Sequence, residues 1–529
     1  MSVGKAYGFI NGVIYPSFKP LIRARGLAIF NGKVVYVGDE SKVKSIVRDL
    51  GGDVYNLEGT VIVPGFIDSH LHLHSYAISF RGLNLRGIRS ISDLKKKLKE
   101  YIEANPNVKL IFGRGWDQEE FVEGRWPTRF DIDDVVPDKP AILIRVCGHA
   151  ALLNTKAMEE LGLFKIKSDD LVTDEKGIPI GIVKESLLQR VSEYMDRMLG
   201  DDTEMLNALR SLASQGITTI GYISARLRHI VKLLELKRRL GYLPLRVFAY
   251  LSLGDFMKLI NVIPSSFGDD YVKVIGVKVF ADGSLGARTA YLSSPYDDDP
   301  NNRGQLLISE NELSELVIEA LSKGFQVATH AIGDAALDVV LKAYSRACSK
   351  LGVNVCRSIG LRVEHASLTR PDQIPVMAKL GLGITIQPKF IVSDWWVVKR
   401  VGISRVKWVY PFKSLLKAGI ELGISSDAPV EDPNPWDNIH VAMSRGSDLG
   451  IELAKYTMNE ALSLTEALDL YTRGSASVMK LHNLGKLSPG YSADFIIVDK
   501  DVLDPRNIRN VKVLATYVNG IQVYKANHY

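Results

Sequence analysis

Short apolar runs separated by turn residues mark both ends of the chain as rich in β-structure. The candidate strands lie at 7–15, 27–30, 33–37, 54–57, 494–499, 511–518 and 521–524. Asn31-Gly32 and Asn519-Gly520 each separate two such runs, and Asn-Gly is a preferred pair in tight hairpins. We therefore expect residues 1–60 and 480–529 to form one small, discontinuous β-sandwich domain.

The middle of the chain alternates apolar runs with amphipathic patterns such as 310–322 and 335–348, which predict helices. The candidate strands are 61–63, 218–223, 245–251, 274–280, 326–330, 361–365, 383–387 and 421–425. Strands that alternate with helices in this number are typical of a (β/α)8, TIM-like barrel. The predicted barrel domain is 61–479. The long gap after its first strand predicts an inserted subdomain at about 75–210 that covers the pocket.

Composition and charge narrow the possible partners. The chain has 529 residues, of which 46% are hydrophobic and 24% charged, as in ordinary globular proteins. A net charge of +6 without a dense basic block argues against a nucleic-acid partner. No run reaches the ~18 apolar residues of a membrane helix, so we expect no membrane partner. Cys147, Cys348 and Cys356 form no close pair, which predicts a cytoplasmic, reducing location without disulfides.

Residues able to bind a metal fall where the predicted barrel strands end, which is where barrel enzymes carry their active sites. They are His70 and His72 at the end of strand one, His330 and His365 at the ends of strands five and six, and Asp427 after strand eight. Strand four also carries a lysine, Lys278, within its apolar run. The i, i+2 spacing of the first two histidines places both rings on one face of an extended segment. Nitrogen and oxygen ligands suit zinc, with manganese, iron or cobalt as alternatives.

Two sets of motifs carry a family resemblance. The segment Pro64-Gly65-Phe66-Ile67-Asp68-Ser69-His70-Leu71-His72, followed in order by the strand-end histidines and Asp427, resembles the amidohydrolase superfamily of metal-dependent hydrolases. Further motifs are similar to the YtcJ-like branch, which itself resembles N-substituted formamide deformylases. These motifs are Gly115-Trp116-Asp117-Gln118, Arg125-Trp126-Pro127-Thr128-Arg129, Cys147-Gly148-His149, Gly181-Ile182-Val183-Lys184-Glu185, Ala281-Asp282-Gly283-Ser284-Leu285-Gly286 and His330-Ala331-Ile332-Gly333-Asp334.

The resemblance implies a hydrolase with two metal ions. His70, His72 and Asp427 would hold one ion, and His330 and His365 the other. Lys278, carboxylated by carbon dioxide, would bridge the two ions, and Glu185 is an open alternative bridge because a glutamate needs no modification. Metal-activated hydroxide would attack a carbonyl carbon, and Asp427 would carry the proton to the leaving nitrogen. The expected reaction is cleavage of a non-peptide carbon–nitrogen bond in a small amide or N-acyl compound.

Other functions stay open on the same site. A ring-amidine deaminase often carries a glutamate three residues after the strand-five histidine, and Gly333 occupies that position here. Ester or lactone hydrolysis would use the same activated water. A non-catalytic binding or regulatory scaffold belongs to another class, and it has no need of a full ligand set that is costly to bury unpaired.

Four residues outside the ligand set are candidates for substrate contact. They are Trp116, His149, Asp282 and Arg288, and packing or structural hydrogen bonds are their alternative roles. We expect a small-molecule substrate, and a homodimer is a prior that rests on chain size alone.

Overall fold

Eight parallel strands form the central sheet of the computed structural model, which describes residues 5–199 and 203–527. Barrel strands one to eight are Phe66–Leu71, Ile217–Ala225, Arg246–Ser252, Val272–Phe280, Gln326–Ala331, Leu361–His365, Gly383–Ile386 and Glu421–Ile424. Each strand pairs with the next one along the chain. The Asp427 N–H donates to the His70 carbonyl at 2.9 Å, which links the segment after strand eight to strand one. The predicted TIM-like fold class is confirmed.

The first barrel strand differs from the predicted one. Val61–Pro64 belongs to another sheet, where it pairs parallel to Val13–Phe18 and antiparallel to Phe495–Val498. The barrel begins only at Phe66, after Pro64-Gly65 interrupts the apolar run. A Cβ at position 65 would lie 2.2 Å from the Thr218 side chain, so only glycine allows this close approach. Both strands are fully buried, and a continuous apolar run does not show where one strand ends and the next begins.

Two sheets built from both chain ends form the β-sandwich part of the fold. The six-stranded sheet has the order Ile521–Lys525, Val513–Val518, Phe495–Val498, Val61–Pro64, Val13–Phe18 and Leu21–Ala24. The four-stranded sheet has the order Lys33–Gly38, Gly26–Phe30, Tyr7–Ile10 and Asp53–Asn56. The Phe495 and Tyr517 rings stack in the shared core at 4.4 Å. Both predicted Asn-Gly hairpins are present, with positive φ at each residue.

Residues 74–205 and 283–289 form a second compact unit, and the rest of the described chain forms the first. The second unit contains a mixed sheet with the order Leu171–Thr173, Pro179–Lys184, Ala150–Leu153, Ala141–Arg145, Ile111–Trp116 and Leu83–Asn84. Trp116, Leu143 and Leu152 are fully buried in a core of its own. The unit therefore buries enough apolar surface to hold its own side chains in place.

Helices cover the barrel and the second unit. The α-helices are Glu40–Asp49, Leu73–Ser79, Ile91–Ala104, Arg129–Ile132, Thr155–Glu160, Glu185–Leu199, Thr203–Ser214, Leu227–Leu240, Leu253–Leu259, Glu310–Ser322, Asp334–Leu351, Val353–Ile359, Gln373–Leu380, Phe390–Ser393, Val397–Val401, Phe412–Lys417, Pro435–Ser444, Ala454–Thr457, Leu464–Asp469 and Ser475–Val478. Within the described ranges, none of them is long and apolar enough to cross a membrane.

One expectation about the cysteines is wrong. Cys348 and Cys356 form a disulfide, with their Cα atoms 5.9 Å apart. Cys348 lies near the end of helix Asp334–Leu351 and Cys356 lies in helix Val353–Ile359. The chain reverses direction at Gly352 between the two helices and brings the cysteines within the usual bridging distance. Sequence spacing alone did not show this turn.

A buried ion pair ties barrel strand three to the six-stranded sheet. Arg246 Nε donates to Asp494 Oδ2 at 2.6 Å, and Arg246 Nη2 donates to Oδ1 at 3.2 Å. Both side chains are 4% exposed. Removing one partner of such a pair leaves a buried charge without compensation.

We expect Arg246→Ala to lower the free energy of unfolding by about 3–5 kcal/mol, because Asp494 then stays buried without its cation. The double substitution R246M/D494L should recover most of this loss. Arg506→Ala, which removes an exposed partner of Asp504, should change stability far less, because solvent screens an exposed ion pair. Chemical denaturation of the three variants measures the difference, and equal effects of R246A and R506A would contradict the assignment.

Candidate metal centre

Three buried side chains bring metal-binding atoms together at the carboxyl end of the barrel. His70, His365 and Asp427 each offer one ligand atom, and these atoms lie within 4.8 Å of one another. His70 Nε2 and Asp427 Oδ1 are 3.3 Å apart. Two imidazoles and a carboxylate are a ligand set found in catalytic zinc sites, which keep a further position open for water or substrate.

The same group contains buried polar atoms that the protein does not satisfy. Among the residues that the structure describes, His70 Nε2, Asp427 Oδ1 and Lys278 Nζ have no hydrogen-bond partner. Leaving one such atom unpaired costs about 1–3 kcal/mol. A divalent cation would satisfy the nitrogen and the oxygen directly, so the residues present fit a metal ion.

The two remaining predicted histidines lie at the edge of this group. His72 Nε2 is 3.2 Å from Asp427 Oδ1. The His330 ring centroid lies 4.6 Å from that of His365, and its Nε2 is 3.5 Å from Asp282 Oδ1. The structure therefore brings His365 to His70 and Asp427, although the resemblance assigned it to a separate ion with His330. Metal ligation stays a prediction for the four histidines and Asp427, and of these only His70, His365 and Asp427 form a group whose ligand atoms all lie within 4.8 Å of one another.

Unusual backbone conformations aim the ligands. His365 has φ 74°, Ala366 has φ 46° and Asp427 has φ 58°. Residues other than glycine rarely adopt this left-handed backbone conformation. The residues that do adopt it are concentrated at functional sites. At the end of strand six, this turn lets consecutive residues Glu364 and His365 both lie beside the His70 ring.

Lys278 is the buried amine of barrel strand four. Its side chain is almost fully buried, and its Nζ lies 4.8 Å from the Phe280 ring centroid. Burial lowers the pKa of Lys278 to about 8, although the negative charges of Glu364 and Asp427 act in the opposite direction. A larger fraction of this amine is therefore neutral and nucleophilic near neutral pH than for an exposed lysine.

Electrostatics keep two of the ligands in the protonation state that binds metal. Burial lowers the pKa of His365 to about 3, so its ring is neutral at pH 7. Burial alone would raise the pKa of Asp427, but His70 and His72 hold it well below its usual value. Metal ligation needs neutral imidazole and ionised carboxylate, and both are present at neutral pH.

Sequence reasoning missed the residues that orient the ligands. His365 Nδ1 donates to Gln387 Oε1 at 2.9 Å, which leaves its Nε2 available for a metal. His70 Nδ1 contacts Glu364 Oε2, and Glu364 is paired with Arg362. The available signal was charge at alternate positions of a buried strand, Arg362-x-Glu364, which places both side chains on one face.

Glu185 lies in the second unit and has its own partners there. One oxygen accepts from Thr289 Oγ1 at 2.7 Å, and the other lies 2.9 Å from His149 Nδ1. Burial raises the pKa of Glu185. The contacts with His149 and Thr289 lower this pKa by a larger amount, so it stays below its usual value. Both carboxylate oxygens are therefore engaged within the unit. Metal ligation by Glu185 and substrate contact by His149 stay predictions.

The other candidates for substrate contact have structural partners. Trp116 is fully buried, donates from Nε1 to the Leu143 carbonyl at 2.7 Å and packs against Trp126. Arg288 Nη1 is 3.6 Å from Glu119 Oε1. These contacts favour a packing role for Trp116 and an ion pair for Arg288, and neither residue is shown to contact substrate.

Asp282 follows barrel strand four and stabilises the loop after strand five. Its fully buried carboxylate accepts from the backbone N–H groups of Tyr291, Ile332 and Gly333 at 2.8–3.0 Å. Ile332 and Gly333 directly follow strand five, so their contacts with Asp282 hold the chain just after His330, whereas Tyr291 lies before strand five. Substrate contact by Asp282 stays a prediction, and the geometry assigns it a positioning contact with this loop.

The parallel barrel, its group of buried atoms that could hold a metal ion and the similarity to known proteins together indicate a metal-dependent hydrolase. Comparison with known proteins gives the family. The chain belongs to the amidohydrolase family, whose model matches residues 53–524.

Individual relatives agree with this family. The chain is 30% identical to the protein named "Putative amidohydrolase YtcJ" of Bacillus subtilis strain 168, over 97% of this chain and 98% of that protein. It is 24% identical to an N-substituted formamide deformylase of Arthrobacter pascens, over 95% of each chain. A solved structure of an uncharacterized metal-dependent hydrolase from Pyrococcus horikoshii OT3 has 39% identity and a TM-score of 0.81. It covers 94% of this chain and 98% of that one. The resemblance to the YtcJ-like branch is confirmed.

We expect Asp282→Ala to destabilise the protein, because the buried N–H groups of Ile332 and Gly333 lose their acceptor at about 1–3 kcal/mol each. The partly buried Tyr291 N–H loses the same acceptor. Asp282→Asn keeps one acceptor oxygen and should lose less. Thermal unfolding measures both variants. An unchanged unfolding temperature together with a raised KM would instead assign Asp282 to substrate binding.

Proposed function

We propose that the protein hydrolyses a non-peptide carbon–nitrogen bond in a small amide or N-acyl compound at the site of His70, His365 and Asp427. The observation that carries the proposal is the group of buried, unpartnered ligand atoms at the carboxyl end of the barrel. A binding scaffold would gain nothing from such atoms, since burying them without partners is costly. The similarity to an N-substituted formamide deformylase supports an amide substrate.

Zinc, or another divalent ion of similar ligand preference, suits the two imidazoles and the carboxylate. Once bound, the ion would polarise the substrate carbonyl and lower the pKa of water to about 7. Asp427 is ionised at neutral pH and accepts the proton of the attacking water. It then gives that proton to the nitrogen as the carbon–nitrogen bond breaks, so that the amine leaves neutral.

In a carboxylated form, Lys278 would supply the oxygen ligands that hold two ions together. Its neutral amine attacks carbon dioxide, a nitrogen–carbon bond forms, and the proton is lost to solvent. The product is an anion with two oxygen ligands, whereas an ammonium has no lone pair to offer. Both oxygens of the rival, Glu185, already contact His149 and Thr289, which favours Lys278.

One structural observation disfavours ring-amidine deamination. The acid nearest to the expected position after His330 is Asp334, and it is fully buried. Its carboxylate accepts from the Ser293 N–H at 2.9 Å and lies 3.2 Å from Arg370 Nη1. Asp334 is therefore held in a structural network and does not replace the missing glutamate.

The substrate class is tested with purified protein supplied with zinc and bicarbonate. We expect release of amine from N-formyl or N-acetyl amines, measured with a general amine-reactive dye. Ring amidines, simple esters and lactones are the comparison set. Turnover of esters or amidines with no turnover of any amide would contradict the proposal.

We expect Lys278→Ala to lose metal and activity, and short carboxylic acids should restore part of both by replacing the missing oxygens. Glu185→Gln is the matched variant, because it also removes a candidate bridging anion, and it should retain its metal. Elemental analysis after gel filtration in bicarbonate buffer measures the ions per chain. If Lys278→Ala retained its metal and Glu185→Gln lost it, the bridging role would belong to Glu185.

We expect Asp427→Asn to reduce kcat by at least about 100-fold, because general acid–base catalysis contributes about 10²–10⁴-fold. The fold should persist, since the asparagine has nearly the same shape. Circular dichroism checks the fold, and steady-state kinetics measure the rate. A near-normal kcat would remove Asp427 from the role of proton carrier.

A further inference from the structure

A buried ion pair lies directly beside the candidate metal centre. Arg362 and Glu364 occupy alternate positions of barrel strand six, and neither is exposed to solvent. Arg362 Nε donates to Glu364 Oε1 and Arg362 Nη2 donates to Oε2, each at 3.0 Å. This two-point contact fixes the plane of the carboxylate as well as its position.

Three other barrel strands hold the guanidinium in place. Arg362 Nη1 donates to the Tyr250 hydroxyl at 2.6 Å in strand three. Arg362 Nη2 donates to the Ser69 carbonyl of strand one at 3.0 Å and to Thr385 Oγ1 of strand seven at 2.8 Å. Because these three acceptors lie on strands of the barrel sheet, the hydrogen bonds fix the Arg362 guanidinium relative to that sheet.

The carboxylate of this pair contacts His70 on the side away from Asp427. Glu364 Oε2 meets His70 Nδ1, whereas His70 Nε2 lies 3.3 Å from Asp427 Oδ1. A carboxylate can only accept a hydrogen bond, so the hydrogen of the neutral imidazole belongs on Nδ1. The lone pair then lies on Nε2, which is the atom that has no hydrogen-bond partner among the described residues.

Stability alone gives no reason for charges at this place. Barrel interiors are usually filled by branched apolar side chains. A buried ion pair often contributes no more stability than apolar residues of the same volume, because both charges lose their hydration. The pair therefore needs another explanation, and its contact with His70 supplies one.

We propose that Arg362 and Glu364 form a positioning pair that fixes the tautomer and the ring orientation of His70 and thereby sets the metal affinity of the centre. The inference rests on the proposed metal-dependent function. It assigns no chemical step to either residue, since both act through His70. Partners of this kind typically change metal affinity by about 10- to 100-fold when they are removed.

Zinc affinity of the metal-free protein, measured by competition with a coloured chelator, tests the pair. R362M/E364L removes both charges with similar volume and leaves no unpaired ion, so it should fold. We expect its Kd for zinc to rise about 10- to 100-fold. R362M/E364Q keeps an acceptor oxygen near His70 and should recover part of the affinity.

R246M/D494L is the matched control, because it removes another buried arginine–carboxylate pair from a barrel strand. Its zinc affinity should equal that of the wild type within about twofold. An equal loss of affinity in this control and in R362M/E364L would overturn the proposal, since the loss would then follow from removing any buried ion pair.

The tautomer of His70 is a second measurement of the role of the pair. Removing an ion pair that acted only on stability would leave this tautomer unchanged. The chain has 10 histidines, so the NMR signals of His70 must first be assigned. They are the signals of ¹⁵N-histidine-labelled, metal-free protein that disappear in the His70→Asn variant. We expect hydrogen on Nδ1 in the wild type and on Nε2 in R362M/E364L. An unchanged tautomer with unchanged zinc affinity would overturn the proposal.

The two proposals fail separately. Suppose that the wild type and the variants bind zinc with the expected order of affinities but the wild type hydrolyses no amide. This result would contradict the proposed function and support the positioning pair. Amide hydrolysis with equal zinc affinity in all variants would contradict the pair and leave the proposed function intact.

Discussion

His70 Nε2 and Asp427 Oδ1 lie 3.3 Å apart at the buried end of the barrel, and neither has a hydrogen-bond partner among the described residues. A protein interior does not tolerate such atoms without compensation. The surrounding chain holds them in place in three ways. The Asp427 N–H donates to the His70 carbonyl, the backbone is left-handed at His365 and Asp427, and the Glu364 carboxylate contacts His70 Nδ1. A cation bound between His70 and Asp427 would satisfy both atoms, and the proposed function depends on such an ion.

The same arrangement explains why charge is buried near the centre. Lys278, Glu364 and Arg362 are buried on barrel strands four and six. Each of them carries a desolvation cost, and each acts on a predicted ligand or is itself one. Arg246 and Asp494 show that the fold also uses a buried ion pair to join two sheets. Burial by itself therefore does not identify function, whereas contact with a ligand does.

Much of the fold and part of the site could be predicted from the sequence. The Asn-Gly hairpins, the alternation of strands and helices and the clustering of His70, His365 and Asp427 follow from local patterns and from the rule that barrel sites lie at strand ends. The start of barrel strand one was misplaced because Val61–Pro64 and Phe66–Leu71 are both fully buried and carry no alternation. The Cys348–Cys356 disulfide depends on a turn between helices that spacing does not reveal. Glu364 and Gln387 were missed because their roles arise from contacts between strands that are distant in sequence.

Anomalous diffraction at the zinc edge, from crystals of protein loaded with zinc in bicarbonate buffer, tests the central claim most directly. We expect an anomalous peak within bonding distance of His70 Nε2, Asp427 and His365, and a second peak next to it, with a carboxylated Lys278 between the two. Zinc peaks that lie only at other residues would contradict the proposed metal centre. A zinc ion bound by Glu185 in place of Lys278 would contradict the proposed role of Lys278.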